Sequence, residues 1–145
     1  MPNNHFDIVV YGATSFVGKI VCRYLARHYS GTKLSWAMAG RSETKLYSLK
    51  TELGEAASQV AVILADATDQ ASLNALCEQT KVVISTVGPY ALYGEPLVKE
   101  CVEHGIDYCD LTGEPQWIHQ MLCRYEKRAQ ARGARILNCC GFDSI

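Results

Sequence analysis

The chain has 145 residues, 48% of them hydrophobic and 20% charged, with a formal net charge of -1 at pH 7. That suits one domain with a buried core and offers no electrostatic attraction for nucleic acid or an anionic membrane. No run of about 18 apolar residues is present to span a bilayer, and the start M-P-N-N-H-F lacks the basic and apolar segments of a secretory signal.

Residues 6–18 read F-D-I-V-V-Y-G-A-T-S-F-V-G, an apolar strand that runs into a turn of small residues and then a helix. Gly12 allows a sharp turn without a Cβ clash. Ala13, Thr14, Ser15, Phe16 and Val17 follow, and Gly18 permits close packing of the helix. Free N–H groups at such a helix start form a pyrophosphate site. Ser15 stands where the usual fingerprint has its middle glycine, so the motif by itself also fits a plain βα turn. Val17, Ile20, Val21, Tyr24 and Leu25 recur at helical spacing and predict one buried face.

A second strand is predicted over 34–39, then a helix capped by Ser42 and running to about Leu53. Strands follow at 60–65 and 82–86, with a short helix at 70–78 between them. The 82–86 strand is β-branched at nearly every position, as expected of one buried on both faces. A helix over 96–104 has proline in its first turn and Gly105 just past its end. A strand at 106–111, a long helix at 115–132 and a strand at 135–139 complete the series. On the long helix, Ile118, Met121, Leu122 and Tyr125 share one face. Six strands alternating with five helices predict a doubly wound parallel α/β sheet of the Rossmann type, with order 3-2-1-4-5-6. The whole of 1–145 reads as this one NAD(P)-binding domain.

Seven cysteines stand at 22, 77, 101, 109, 123, 139 and 140, with no C-x-x-C pair and no histidine cluster beside them. They are expected to be mainly buried free thiols in a reducing cytoplasm rather than a metal site or a disulfide frame.

An NAD-preferring domain places an acidic side chain at the end of its second strand to accept from the ribose hydroxyls. Here Gly40-Arg41-Ser42 occupies that point. The Arg41 guanidinium and the Ser42 hydroxyl suit a 2′-phosphate, which predicts NADP(H) in preference to NAD(H); the bland alternative is a solvated arginine. Asp66, ending the third strand, can accept from an adenine amino group or serve as a turn residue. Thr86, Val87, Gly88 and Pro89 end the fourth strand at the edge where open α/β sheets bind ligands. Tyr90 and Tyr93 lie near that edge, but no lysine follows at four-residue spacing. They are expected to line a pocket or to pack, not to donate protons. Glu114 and Asp143 each read as a helix cap or a polar site residue, and His119 as a surface histidine.

The segments Y-G-A-T-S-F-V-G, A-G-R-S-E-T-K-L, V-G-P-Y-A-L-Y-G-E-P-L-V, Y-C-D-L-T-G-E and C-C-G-F-D-S-I, in this order, resemble the saccharopine dehydrogenase-like oxidoreductases. That group includes the trans-acting enoyl reductases of lipid biosynthesis. The resemblance implies an NADP-dependent oxidoreductase that moves hydride between nicotinamide and an enoyl or imine-like substrate. It also implies that residues 12–18, Arg41 and 86–89 hold the cofactor, and that a second, substrate-binding domain would follow Ile145. It suggests a small-molecule substrate, lipid-linked in one option; a homo-oligomer is a further expected partner. A non-catalytic NADP-binding sensor or scaffold is the alternative, since no proton-donor pair stands out.

Overall fold

The computed structural model describes residues 5–141. Its strands are β1 (Phe6–Tyr11), β2 (Trp36–Gly40), β3 (Ala61–Leu64), β4 (Thr80–Ser85), β5 (Asp107–Asp110) and β6 (Ile136–Leu137). Between them run α1 (Phe16–Tyr29), α2 (Glu43–Leu53), α3 (Gln70–Cys77), α4 (Tyr90–Tyr93), α5 (Glu95–His104) and α6 (Pro115–Arg132). A single 3-10 turn, Gly54–Ala57, follows α2. The sheet is parallel throughout and ordered β3-β2-β1-β4-β5-β6, as the sequence predicts.

Right-handed crossovers decide which helix lies on which face. The chain moves one way from β1 to β3 and the other way from β4 to β6, so the two sets of helices fall on opposite faces. Alternation along the strands then feeds two cores. Val9, Tyr11, Ala37, Val83 and Tyr108 pack with α3, α5 and α6, whereas Val10, Trp36 and Met38 pack with α1 and α2.

Most element boundaries fall within two residues of expectation, and the differences have local causes. The last strand was expected over 135–139 but ends at Leu137, because Asn138 Nδ2 and Cys139 N both donate to the Asp110 carboxylate and bend the chain. Cys139 takes φ 61 there. The short helix α4, Y-A-L-Y, has too few residues to show a helical period and was not predicted.

Three expectations about burial are corrected. On α1 the buried residues are Gly18, Cys22, Leu25 and Ala26; Val17, Ile20 and Tyr24 are exposed, and Val21 is half-buried. On β4 Thr80, Val83 and Ser85 are buried, but Val82 and Ile84 are only half-buried, since they belong to neither core. On α6 Leu122 is exposed while Trp117 and Ala129 join Met121 in the core. The cysteines divide as well: Cys22, Cys77 and Cys101 are buried, Cys109 is half-buried, and Cys123, Cys139 and Cys140 are exposed. The last two sit in the loop after β6, where no core residue is required.

Candidate functional site

The carboxyl ends of β1 and β4 meet at the point where strand order reverses, with Tyr11 beside Ser85. Neighbouring chains leave the sheet in opposite directions there and open a crevice. Gly12 turns the chain away from β1 at φ +83, a left-handed conformation that favours glycine. A Cβ on Gly12 would stand 2.6 Å from Thr86 Oγ1 and 2.7 Å from Val87 Cγ2, so the turn is pressed against the end of β4. Gly18 packs equally tightly from the other side, against the Gly12 carbonyl and the Ala13 backbone.

Ser15 fastens this turn. It is the N-cap of α1, its Oγ accepting from Gly18 N at 3.0 Å and donating to Gly12 O at 2.8 Å. The same oxygen lies 3.1 Å from Thr86 Oγ1, which is itself 2.8 Å from Gly12 O. The serine that replaces a fingerprint glycine is therefore a brace between the β1 turn and β4. With Gly18 N engaged by the Ser15 side chain and Lys19 N by Ser15 O, the Phe16 and Val17 amides are the helix-start donors that remain for an anion.

Around this turn lies a cleft of about 370 Å³. Ten of the sequence-predicted residues line it: Gly12, Thr14, Ser15, Gly40, Arg41, Ser42, Asp66, Thr86, Val87 and Gly88. The other five do not. Ala13 and Gly18 are buried beneath the turn, Phe16 is 81% exposed, Val17 is exposed on the flank of α1, and Pro89 lies just beyond the cleft wall. Any part that Phe16 and Val17 play in binding falls to their backbone amides.

At the β2 end, Ser42 caps α2 by accepting from Lys45 N at 3.3 Å. That fixes the start of the helix so that exposed Arg41 and Lys45 both line the same end of the cleft. Lys45 was not predicted; its signal was the cationic position one turn beyond Arg41 in A-G-R-S-E-T-K. Asp66 accepts from Thr68 N and Thr68 Oγ1, both at 2.9 Å, so it makes the turn that was one of its two readings while still lining the cleft. Those bonds, then the nearby Arg41 charge, lower its carboxyl pKa. The N-cap of α3 is Asp69 instead. Tyr11, Ala65, Ala67 and Thr68 complete this wall.

Tyr93 lines the cleft, as one of its readings held, but Tyr90 is a packing residue. The Tyr90 hydroxyl donates to Ser85 O at 2.9 Å and accepts from Leu111 N at 3.3 Å, and its ring packs on Trp117. Burial pushes the phenol up to about 12. Glu114 caps a helix other than its own: its carboxylate accepts from Tyr90 N at 2.7 Å and Ala91 N at 3.0 Å, at the start of α4. Asp110, which the sequence reading passed over, is fully buried at the end of β5. Its carboxylate accepts from Tyr108 Oη, Thr112 N, Asn138 Nδ2 and Cys139 N, tying β5 to the chain leaving β6. His119 is exposed on α6. Asp143 lies outside the described residues.

A doubly wound parallel sheet with a glycine turn at its switch point and a cationic wall beyond β2 defines a dinucleotide-binding Rossmann domain. The family of the saccharopine dehydrogenase NADP-binding domain matches residues 8–137, and the chain belongs to it. It is 44% identical over 146 residues to a lipid droplet localized protein of Caenorhabditis elegans, covering 98% of this chain and 34% of that protein. It is 46% identical over 140 residues to a trans-acting enoyl reductase of Mycobacterium tuberculosis, covering 97% and 33%. The chain thus spans about a third of the length of these relatives. Among solved structures, saccharopine dehydrogenase (L-Glu forming) of Saccharomyces cerevisiae superposes with a TM-score of 0.74 at 19% identity, over 95% of this chain and 28% of that one. The leucoanthocyanidin reductase–NADPH complex of Vitis vinifera superposes at 0.63 and 15% identity, over 91% and 48%. Both show the same fold.

Proposed function

We propose that this chain is the cofactor-binding domain of an NADP-dependent oxidoreductase that transfers hydride between nicotinamide and an enoyl or imine-like substrate. One arrangement carries the reading: the Gly12 turn, the Ser15 cap and the Arg41–Lys45 pair all border a single cleft. The pyrophosphate is assigned to the start of α1, where the Ser15 cap takes Gly18 N and Ser15 O takes Lys19 N, leaving the Phe16 and Val17 amides as anion donors. The 2′-phosphate is met by Arg41 and Lys45, with Ser42 holding their helix. Asp66 and Thr68 border the adenine, and Thr86, Val87 and Gly88 support the nicotinamide half. When bound, the cofactor supplies or accepts the hydride, while the protein orients it and keeps water away.

The substrate is a small molecule, and the enoyl reductase relatives support an acyl chain, lipid-linked in that case. Three buried free thiols fit a reducing compartment, and we extend the reading to the cytoplasm; among the described residues no helix is long and apolar enough to cross a membrane. A homo-oligomer of the whole protein belongs to the same proposal. The second reading, a sensor that binds NADP without turnover, draws support from Tyr90, whose hydroxyl is committed to Ser85 and Leu111.

Titration of NADPH by its own fluorescence tests the cofactor assignment, and saturable binding that outcompetes NADH is expected. Absence of binding by the folded chain would overturn both readings. Substrate-dependent NADPH oxidation by a polypeptide of the relatives' length separates the enzyme from the sensor.

A further inference from the structure

A buried phenol normally finds a hydrogen-bond partner for its hydroxyl. Among the described residues the buried tyrosines are Tyr11, Tyr90 and Tyr108. The Tyr90 hydroxyl bonds to Ser85 O and Leu111 N, and the Tyr108 hydroxyl donates to Asp110 at 2.7 Å. Tyr11 differs. Its carbonyl accepts from Thr86 N and Thr86 Oγ1, but its hydroxyl has no hydrogen-bond partner among the described residues although the side chain is only 3% exposed. Nor is that oxygen sealed in the core, where Trp117 Nε1 is the one fully buried polar side-chain atom left unpartnered among those residues. The Tyr11 oxygen therefore opens into the cleft that this residue lines.

Tyr11 is the last residue of β1, paired with Ala39 of β2 and Ser85 of β4. Its ring belongs to the core that also holds Ala65, a residue of the β3 end of the cleft. The ring is thus fixed below the cleft, and only the hydroxyl is free to meet a ligand. The Asp66 charge acts on the phenol more strongly than the Arg41 charge does. The hydroxyl accordingly stands on the side assigned to the base rather than with the Arg41–Lys45 pair. Burial first, then Asp66, pushes the phenol up to about 12, so it stays protonated and donates. Asp66 supplies the complementary acceptor: its Oδ1 is taken by Thr68 N and Thr68 Oγ1, which leaves Oδ2 for a ligand.

We propose that the Tyr11 hydroxyl reads the base of the dinucleotide, donating to a ring nitrogen of adenine beside the amino group that faces Asp66. Adenine carries an amino donor next to ring-nitrogen acceptors, which matches one carboxylate oxygen and one phenol O–H. An oxo-purine such as hypoxanthine presents a carbonyl oxygen to the carboxylate instead. That contact repels, and the displaced base leaves the buried phenol unpaired. Tyr11 is then a specificity residue for the adenosine half, a role that rests on the cofactor reading above.

The test titrates the chain, with and without Tyr11→Phe, against NADPH, NADH and reduced nicotinamide hypoxanthine dinucleotide phosphate, each followed by its nicotinamide fluorescence. Phenylalanine keeps the ring in the core and removes only an oxygen that no described residue bonds. The ligand-free melting temperature is therefore expected to hold. Tyr11→Phe is expected to weaken NADPH and NADH alike, by roughly threefold to tenfold. The hypoxanthine cofactor is expected to bind the wild type less tightly than NADPH and to lose little more in the variant. A loss confined to NADPH would put the hydroxyl on the 2′-phosphate, and equal losses with both bases would put it on the ribose or on cleft water. Either result overturns the proposal. So does an unchanged NADPH affinity, or a ligand-free melting temperature lowered by several degrees, which would make the hydroxyl structural. A folded wild type that binds no NADPH overturns the cofactor reading and this proposal together. Binding without a base-dependent loss leaves that reading standing and sinks this one alone.

Discussion

On the proposed reading, Arg41 and Lys45 make cofactor choice a matter of charge at one end of the cleft. Neither has a fixed ion-pair partner among the described salt bridges, so both are available to a phosphate. A charge-assisted contact is worth about 1.5–3 kcal/mol, roughly tenfold to a hundredfold in affinity. Arg41→Ala is expected to weaken NADPH by that factor and leave NADH nearly unchanged in parallel titrations; equal losses for both would show that the guanidinium meets no 2′-phosphate. Lys45→Ala is expected to act in the same direction. At the turn, Gly12→Val drives a branched side chain into Thr86 and Val87 at a positive φ, and binding is expected to vanish in calorimetry. From the sequence, Ser15→Gly looks neutral or favourable, since it restores the common fingerprint. The structure reverses that expectation, because Ser15 Oγ caps α1 and braces Gly12. A cap exchanged for glycine costs a few tenths of a kcal/mol, and the lost brace adds to this, so a lower melting temperature with weakened binding is expected.

Glu114 shows how one element positions another. It begins α6, yet its carboxylate holds the first two amides of α4, and between α4 and β4 lie Thr86, Val87 and Gly88 of the cleft. A carboxylate on helix-start amides is favoured by both hydrogen bonding and the dipole. Glu114→Ala is expected to lower affinity for both NADPH and NADH, without the 2′-phosphate selectivity of Arg41→Ala, and Glu114→Gln to recover part of the loss. A variant that bound both cofactors like the wild type would leave Glu114 a structural cap only. The elements themselves were legible because each strand and helix carried its own period and stop signal; Pro115 to Arg132 agrees at both ends. Ser42 as cap was legible for the same local reason. Glu114 was legible as a helix cap but not as the cap of α4, and Asp110 was not legible at all, because their backbone partners lie 24 and 29 residues away and no local pattern announces a carboxylate that serves a distant backbone. Nor was the true buried face of α1, since periodicity reports what the helix can bury and not which neighbours are there to bury it.

For the molecule as a whole, the lowered carboxyl pKa values set its acid response. Ser35 N, then Lys81, lowers Asp7, and Arg135 lowers Asp107. A folded-state pKa below the unfolded value stabilises above the ordinary carboxylate range and is lost as pH falls through the folded value. Melting temperature is therefore expected to hold at neutral pH and to decline below about pH 4, with Asp107→Asn flattening that decline. Turnover is a different matter, because it needs the reacting partner about 3–3.5 Å from the hydride and shielded from water. On the proposed reading the cleft borders hold the cofactor without supplying a proton donor, and Tyr90, a buried phenol next to that cleft, is spent on Ser85 and Leu111. The 145 residues are accordingly expected to bind NADPH weakly and to show no turnover with enoyl or imine substrates. The face of β4, β5 and β6 formed by Val82, Ile84, Cys109 and Leu137, which belongs to neither core, is expected to make the same chain self-associate as concentration rises. NADPH oxidation by this chain beside a polypeptide of the relatives' length, with one substrate panel and light scattering on both, checks the pair of expectations. Equal turnover by the two would place a complete active site within these residues.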